Sequence, residues 1–99
     1  KPTIVSIPDH FEITSVYPNP FNPTVNISYS LPTAGEVSVR IFNALGQEVM
    51  ATVSQHQAGQ QLFSWNALDN NDHPLSSGIY FARIAHADAH QIVKLTYLR

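Results

Sequence analysis

The chain has 99 residues, of which 43% are hydrophobic and 12% charged, and its seven acids against five lysines and arginines leave a formal charge of −2. That balance lacks the basic excess of a phosphate-tracking nucleic-acid binder, and no apolar run approaches the ~20 residues of a helical membrane span. Cysteine is absent, which removes disulfides, thiolate metal ligands and cysteine nucleophiles, while the apolar content suffices for one packed core of ordinary domain size.

Residues 1–10, KPTIVSIPDH, carry prolines at 2 and 8 and show no sustained period. They read as a linker with a short edge strand around Ile4 to Ile7, and residues 11–99 as the domain proper. Starting at Lys1 with neither an initiator methionine nor a leader pattern, the chain reads as a module of a larger protein. Phe11 to Val16 is a first strand. YPNPFNP, residues 17–23, has three prolines in seven positions, so it is a stiff extended connection and neither a helix nor a central strand.

From Thr24 the period becomes two. Val25, Ile27, Tyr29 and Leu31 alternate with polar residues, and Val37, Val39 and Ile41 do so again after a turn at Pro32 to Gly35. The pair is expected to form a β-hairpin. A turn at Asn43 to Gly46 leads into a strand over Gln47 to Val53, and a polar loop to Gly59 leads into Gln60 to Asn66. There Phe63 and Trp65 share a side, and Trp65 is the best single core anchor. LDNNDHPLSSG, residues 68–78, is a turn-rich loop. Ile79 to Ala85 and Gln91 to Leu98 complete seven strands at spacings of about 8–12 residues, the pattern of an all-β sandwich or barrel.

Four stretches then occur in order: YPNPFNPTVNISYSLP (17–32), VSVRIFNALGQEV (37–49), SGIYFARI (77–84) and KLTYLR (94–99). Together they resemble the C-terminal sorting domain of the bacterial type IX secretion system and the related Ig-like module of flagellar hook-capping proteins. The resemblance implies a seven-stranded antiparallel Ig-like β-sandwich behind a secreted enzyme or adhesin. It implies passage through the periplasm and outer membrane to the cell surface or beyond. The implied partners are the outer-membrane export machinery and a sortase-like protease that, in many members, cuts ahead of the domain and links the cargo to lipopolysaccharide. No cofactor is implied.

By position, Pro18, Asn19 and Pro20 match the family's opening motif, Gly46 its turn, Gly78 and Tyr80 its SGxY segment, and Lys94 and Arg99 its basic terminal strand. Gly46, Gly78, Tyr80, Lys94 and Arg99 are expected to serve recognition; Pro18, Asn19, Pro20 and Trp65 are expected to be structural. Lys94 and Arg99 would meet an acidic groove while the strand's backbone edge pairs with the partner. Charge on an edge strand also discourages aggregation, and the two roles are compatible. Where the family often has glycine, soon after the tryptophan and again before the loop proline, this chain has Ala67 and Asp72. These two substitutions bear on the geometry of the long loop and not on the fold.

No serine elbow, HExxH motif or phosphate-binding loop is present, so the chain reads as non-catalytic. His86 and His90 flank Ala87-Asp88-Ala89; across a tight hairpin the two imidazoles would face each other and, with Asp88, hold Zn²⁺ or Ni²⁺. A closed site wants four ligands, which makes a plain exposed hairpin tip the stronger expectation. Asp69 to Asp72 resembles a calcium-loop fragment without its glycine and distal glutamate, which favours an Asx turn. The alternative function is a carbohydrate-binding accessory module of a secreted glycoside hydrolase, using Tyr17, Phe21, Tyr29, Tyr80 or Tyr97. Two or more coplanar exposed rings on one sheet face would favour it, and their lack, with a solvent-accessible C-terminal strand, would favour the sorting reading.

Overall fold

The structure, a computed structural model, describes residues 10–99, so the edge strand expected around Ile4 to Ile7 lies outside the described residues. Seven strands follow one another: β1 (Glu12–Tyr17), β2 (Val25–Leu31), β3 (Gly35–Asn43), β4 (Glu48–His56), β5 (Gly59–Trp65), β6 (Gly78–His86) and β7 (Ala89–Tyr97). They form two antiparallel sheets, β1-β2-β5 and β4-β3-β6-β7, and the described residues include no helix. This is the expected β-sandwich. In the constant-type immunoglobulin arrangement the fourth strand would join the first, second and fifth; here β4 pairs with β3.

The hairpin expected between β2 and β3 does not form. β2 pairs with β1 and β5, β3 pairs with β4 and β6, and Pro32 to Ala34 bridge the two sheets. The reason is burial. Val25, Ile27, Tyr29 and Leu31 make one fully apolar row and Val37, Val39 and Ile41 another, and both rows are buried. In a single hairpin the two rows would share one face and still need a cover, whereas in opposing sheets each row covers the other.

The core continues through Ala82, Ile84 and Leu95, and one end is filled by aromatic rings. Phe21 stacks on Tyr97 at a centroid distance of 5.1 Å and lies 5.8 Å from Trp65. Trp65 meets Tyr80 edge-on at 5.5 Å, and its indole N–H donates to the Leu68 carbonyl at 2.9 Å, so its polar atom is satisfied despite burial. Ser30 and His86 are the buried polar residues, and every buried side-chain polar atom among the described residues has a hydrogen-bond partner. Burial without a countercharge raises the pKa of the Tyr29 phenol.

Candidate functional site

The proline-rich segment and the last strand, far apart in sequence, form one unit. The Asn19 side chain donates from Nδ2 to the Lys94 carbonyl at 3.0 Å and accepts on Oδ1 from the Thr96 N–H at 2.9 Å. Its amide thus occupies the edge of β7 as a short strand would. Phe21 continues the pairing: its N–H donates to the Thr96 carbonyl at 2.9 Å, and its carbonyl accepts from the Leu98 N–H at 3.1 Å. Proline has no N–H to offer a ladder, so the intervening Asn19 and Phe21 carry the bonds. At the other end of β7, Gln91 Oε1 accepts from the Ile13 N–H at 2.6 Å.

This changes the expectation for the terminal strand. The backbone edge of β7 from Lys94 to Leu98 is already occupied from within the domain, so in the folded state it is closed to strand addition. The Lys94 and Arg99 side chains remain exposed, and the Arg99 N–H is held by Ser77 Oγ at 3.1 Å.

The turn between β3 and β4 is organised by Asn43. Its Oδ1 accepts from the N–H groups of Leu45 (2.9 Å) and Gln47 (3.0 Å), its Nδ2 donates to Gln47 Oε1, and its carbonyl accepts from the Gly46 N–H. Gly46 has φ +84°, the left-handed conformation that a side chain resists, and its position is open to solvent. Leu45 stands at the tip, 85% exposed. The turn pattern alone does not single out Asn43 as the organising residue, although an asparagine opening a short polar turn is the signal for such a motif.

Tyr80, expected at the recognition surface, is buried, and its hydroxyl donates to the Ser76 carbonyl at 2.6 Å. Its ring lies against Trp65 and presents no face to a partner. Gly78 sits beside it as the first residue of β6, half-buried and opposite Tyr97.

The histidine pair does not assemble. β6 and β7 are joined by a turn in which His86 pairs with Ala89 and His90 with Ala85. Neighbouring residues of a strand point to opposite faces, so the two imidazoles lie on opposite sides of the sheet and cannot share an ion. His86 is turned inward, with Nδ1–H donating to the Glu36 carbonyl at 3.1 Å and Nε2 3.1 Å from the Thr33 hydroxyl. Gly35 makes room for it: a Cβ there would lie 3.2 Å from His86 Cε1. His86 therefore ties the β2–β3 crossing to the end of β6, a role that one strand's pattern cannot reveal.

In the long loop, Asp69 Oδ1 accepts from the N–H groups of Asn71 (2.8 Å) and His73 (3.0 Å), which makes the expected Asx turn. The bond from the His73 backbone is the largest influence holding the Asp69 carboxyl below its ordinary pKa. Asn70 reaches β4, where its side-chain amide binds both the N–H (2.8 Å) and the carbonyl (2.9 Å) of Ala51. Ala67 and Asp72 both have φ +60°. The loop thus keeps left-handed backbone at both positions where the family resemblance supplies glycine. Ala67→Gly is expected to change stability by less than about 1 kcal/mol, because relief of left-handed strain is offset by the lost burial of a methyl group only 2% exposed and by the entropy that glycine adds to the unfolded chain. Chemical denaturation checks this, and a destabilisation above about 1 kcal/mol, as in an ordinary strand, would contradict it.

The rings that would favour the carbohydrate reading are not exposed, and that reading is not supported. Of its five candidate rings, Phe21, Tyr29, Tyr80 and Tyr97 are buried, and only Tyr17 (73%) is exposed.

Comparison with known families matches residues 15–97 to the family described as the secretion system C-terminal sorting domain. Among solved structures the chain is similar in fold to part of the dimeric latent PorU from Porphyromonas gingivalis, with a TM-score of 0.67 and 12% identity over 89% of this chain. The chain spans about 9% of that protein's length. Comparison with curated proteins finds no match.

Proposed function

The chain belongs to the C-terminal sorting domain family of the type IX secretion system, and from that premise we propose that it is the non-catalytic sorting module of a larger secreted protein. The module, residues 11–99, directs its parent from the periplasm through the outer membrane to the cell surface or the medium. Export machinery reads the folded sandwich, and a sortase-like protease acts on the junction ahead of it. The observation that carries this reading is the family match, which runs unbroken from the proline-rich segment to the terminal strand. Recognition is assigned to the exposed Lys94 and Arg99 side chains and the turn at Gly46. Tyr80, Gly78, Pro18, Pro20 and Asn19 hold the surface in shape.

The test is a secreted reporter fused ahead of the chain in a bacterium with a type IX system. The unaltered fusion is expected outside the outer membrane. The double variant Lys94→Glu/Arg99→Glu is expected to keep its circular dichroism while its export falls about tenfold, as reversing charges at a complementary contact should produce. An unaltered fusion that stays in the periplasm removes the sorting reading. Normal export of the double variant removes only the assignment to these two residues.

A further inference from the structure

The register of the four-stranded sheet places an unusual set of side chains on its outer face. Arg40 on β3 lies directly opposite Arg83 on β6, and Arg83 lies opposite Ile92 on β7. Two residues along, Phe42 is opposite Phe81, and Phe81 is opposite Lys94. The alternate residues of these strands, Val39, Ile41, Ala82, Ile84 and Leu95, are buried in the core, so this second set points away from it. Three of the five lysines and arginines in a chain of net charge −2 therefore gather on one sheet face.

That arrangement is unfavourable for the isolated domain. Like charges directly opposite each other on neighbouring strands, with Cβ atoms about 5 Å apart, destabilise a sheet. Glu48 answers Arg40 at 3.5 Å across an exposed gap, and among the described residues Arg83 has no ion pair or side-chain hydrogen bond. Apolar surface lies between the cations: Phe81 is 36% exposed and Ile92 58%. A sheet face that only meets water carries polar residues of mixed charge. Arginine and aromatic residues in one patch are instead the composition of a protein-binding surface.

We propose that the outer face of the four-stranded sheet docks an acidic protein segment, extended across the strands, with its carboxylates at Arg40, Arg83 and Lys94 and its apolar side chains over Phe81 and Ile92. Charge complementarity selects this occupant. A second copy would bring the same cations and repel. Two neighbouring guanidinium forks suit carboxylates, which accept paired N–H bonds. A bilayer would need the apolar groups to protrude beyond the charged ones, whereas a pleated face holds both at one level. The surface adds a contact to the sorting module without depending on export, since binding is read on the chain in solution.

The probe is a short peptide of alternating glutamate and leucine, titrated at low salt into the isotope-labelled chain and followed by NMR. Amide shifts are expected along β3, β6 and β7 and not in the β1-β2-β5 sheet. Arg83→Gln is expected to weaken binding about tenfold while raising the melting midpoint by about one to a few degrees, because removing one of two opposed like charges relieves the sheet. Arg83→Lys, which keeps the charge but loses the paired N–H fork, is expected to bind with an affinity between those of the parent and Arg83→Gln. Raising the salt to about 0.5 M is expected to weaken binding several-fold. The proposal is overturned by shifts that are absent or centred elsewhere, by an Arg83→Gln variant that binds as the parent does, or by anionic vesicles or heparin competing the peptide off at lower concentration.

Discussion

Phe21→Ala is expected to cost about 3–5 kcal/mol, the range for removing a fully buried aromatic side chain, from a domain whose whole stability is on the order of 5–15 kcal/mol. Phe21 is 1% exposed and sits where the two sheets meet, between Tyr97 of one and Trp65 of the other. Each ring pair contributes beyond its buried area, and the substitution removes two of them. The proline-rich segment would also lose the anchor that keeps its backbone bonds to Thr96 and Leu98 in place. Trp65 is the single tryptophan and lies 5.8 Å from Phe21, so its emission reports the loss directly. Urea unfolding followed by circular dichroism should show an earlier midpoint, and the folded variant should emit further to the red. A cost below about 1.5 kcal/mol would mean that the segment is not part of the core.

Deletion of Val93 to Arg99 is expected to have a larger effect: loss of cooperative folding altogether. The deleted residues include the buried Leu95 and Tyr97, the strand partners of Gly78 to Ala82, and the groups that Asn19 and Phe21 bind. Removing them exposes the β6 edge and leaves Phe21 without its stacking partner. The burial lost through Leu95 and Tyr97 alone reaches about 5–10 kcal/mol by large-to-small substitution costs, comparable to the stability of the domain. Thermal unfolding of the truncated chain should be broad and its near-ultraviolet dichroism weak; a sharp transition near that of the intact chain would show that β7 is dispensable. Failed export of such a truncation would therefore not separate a missing signal from a missing fold. The exposed Lys94 and Arg99 make that separation possible, since their substitution leaves the core intact.

Much of the architecture is legible from local pattern. The alternation Val25, Ile27, Tyr29, Leu31 and its counterpart Val37, Val39, Ile41 identify both the strands and their buried faces, because side chains in extended chain repeat every two residues. Trp65 is evident as an anchor, and the Asx turn at Asp69 follows from acid and amide spacing. The candidate site is less legible. Tyr80, which looks like a surface motif residue, packs against Trp65, and His86 and His90, four apart in sequence, end on opposite faces because the turn is one residue tighter than their spacing suggests.

By itself the sequence determined an all-β chain with seven strands, the inward face of most of them, and the family to which it belongs. Tertiary structure alone decided that β2 and β3 part into opposing sheets, that Asn19 and Phe21 close the edge of β7, and that Arg40 and Arg83 come side by side. Period-two alternation says which way a side chain points relative to its own strand but not which strand lies next to it. That choice is made by the joint burial of rows distant in sequence.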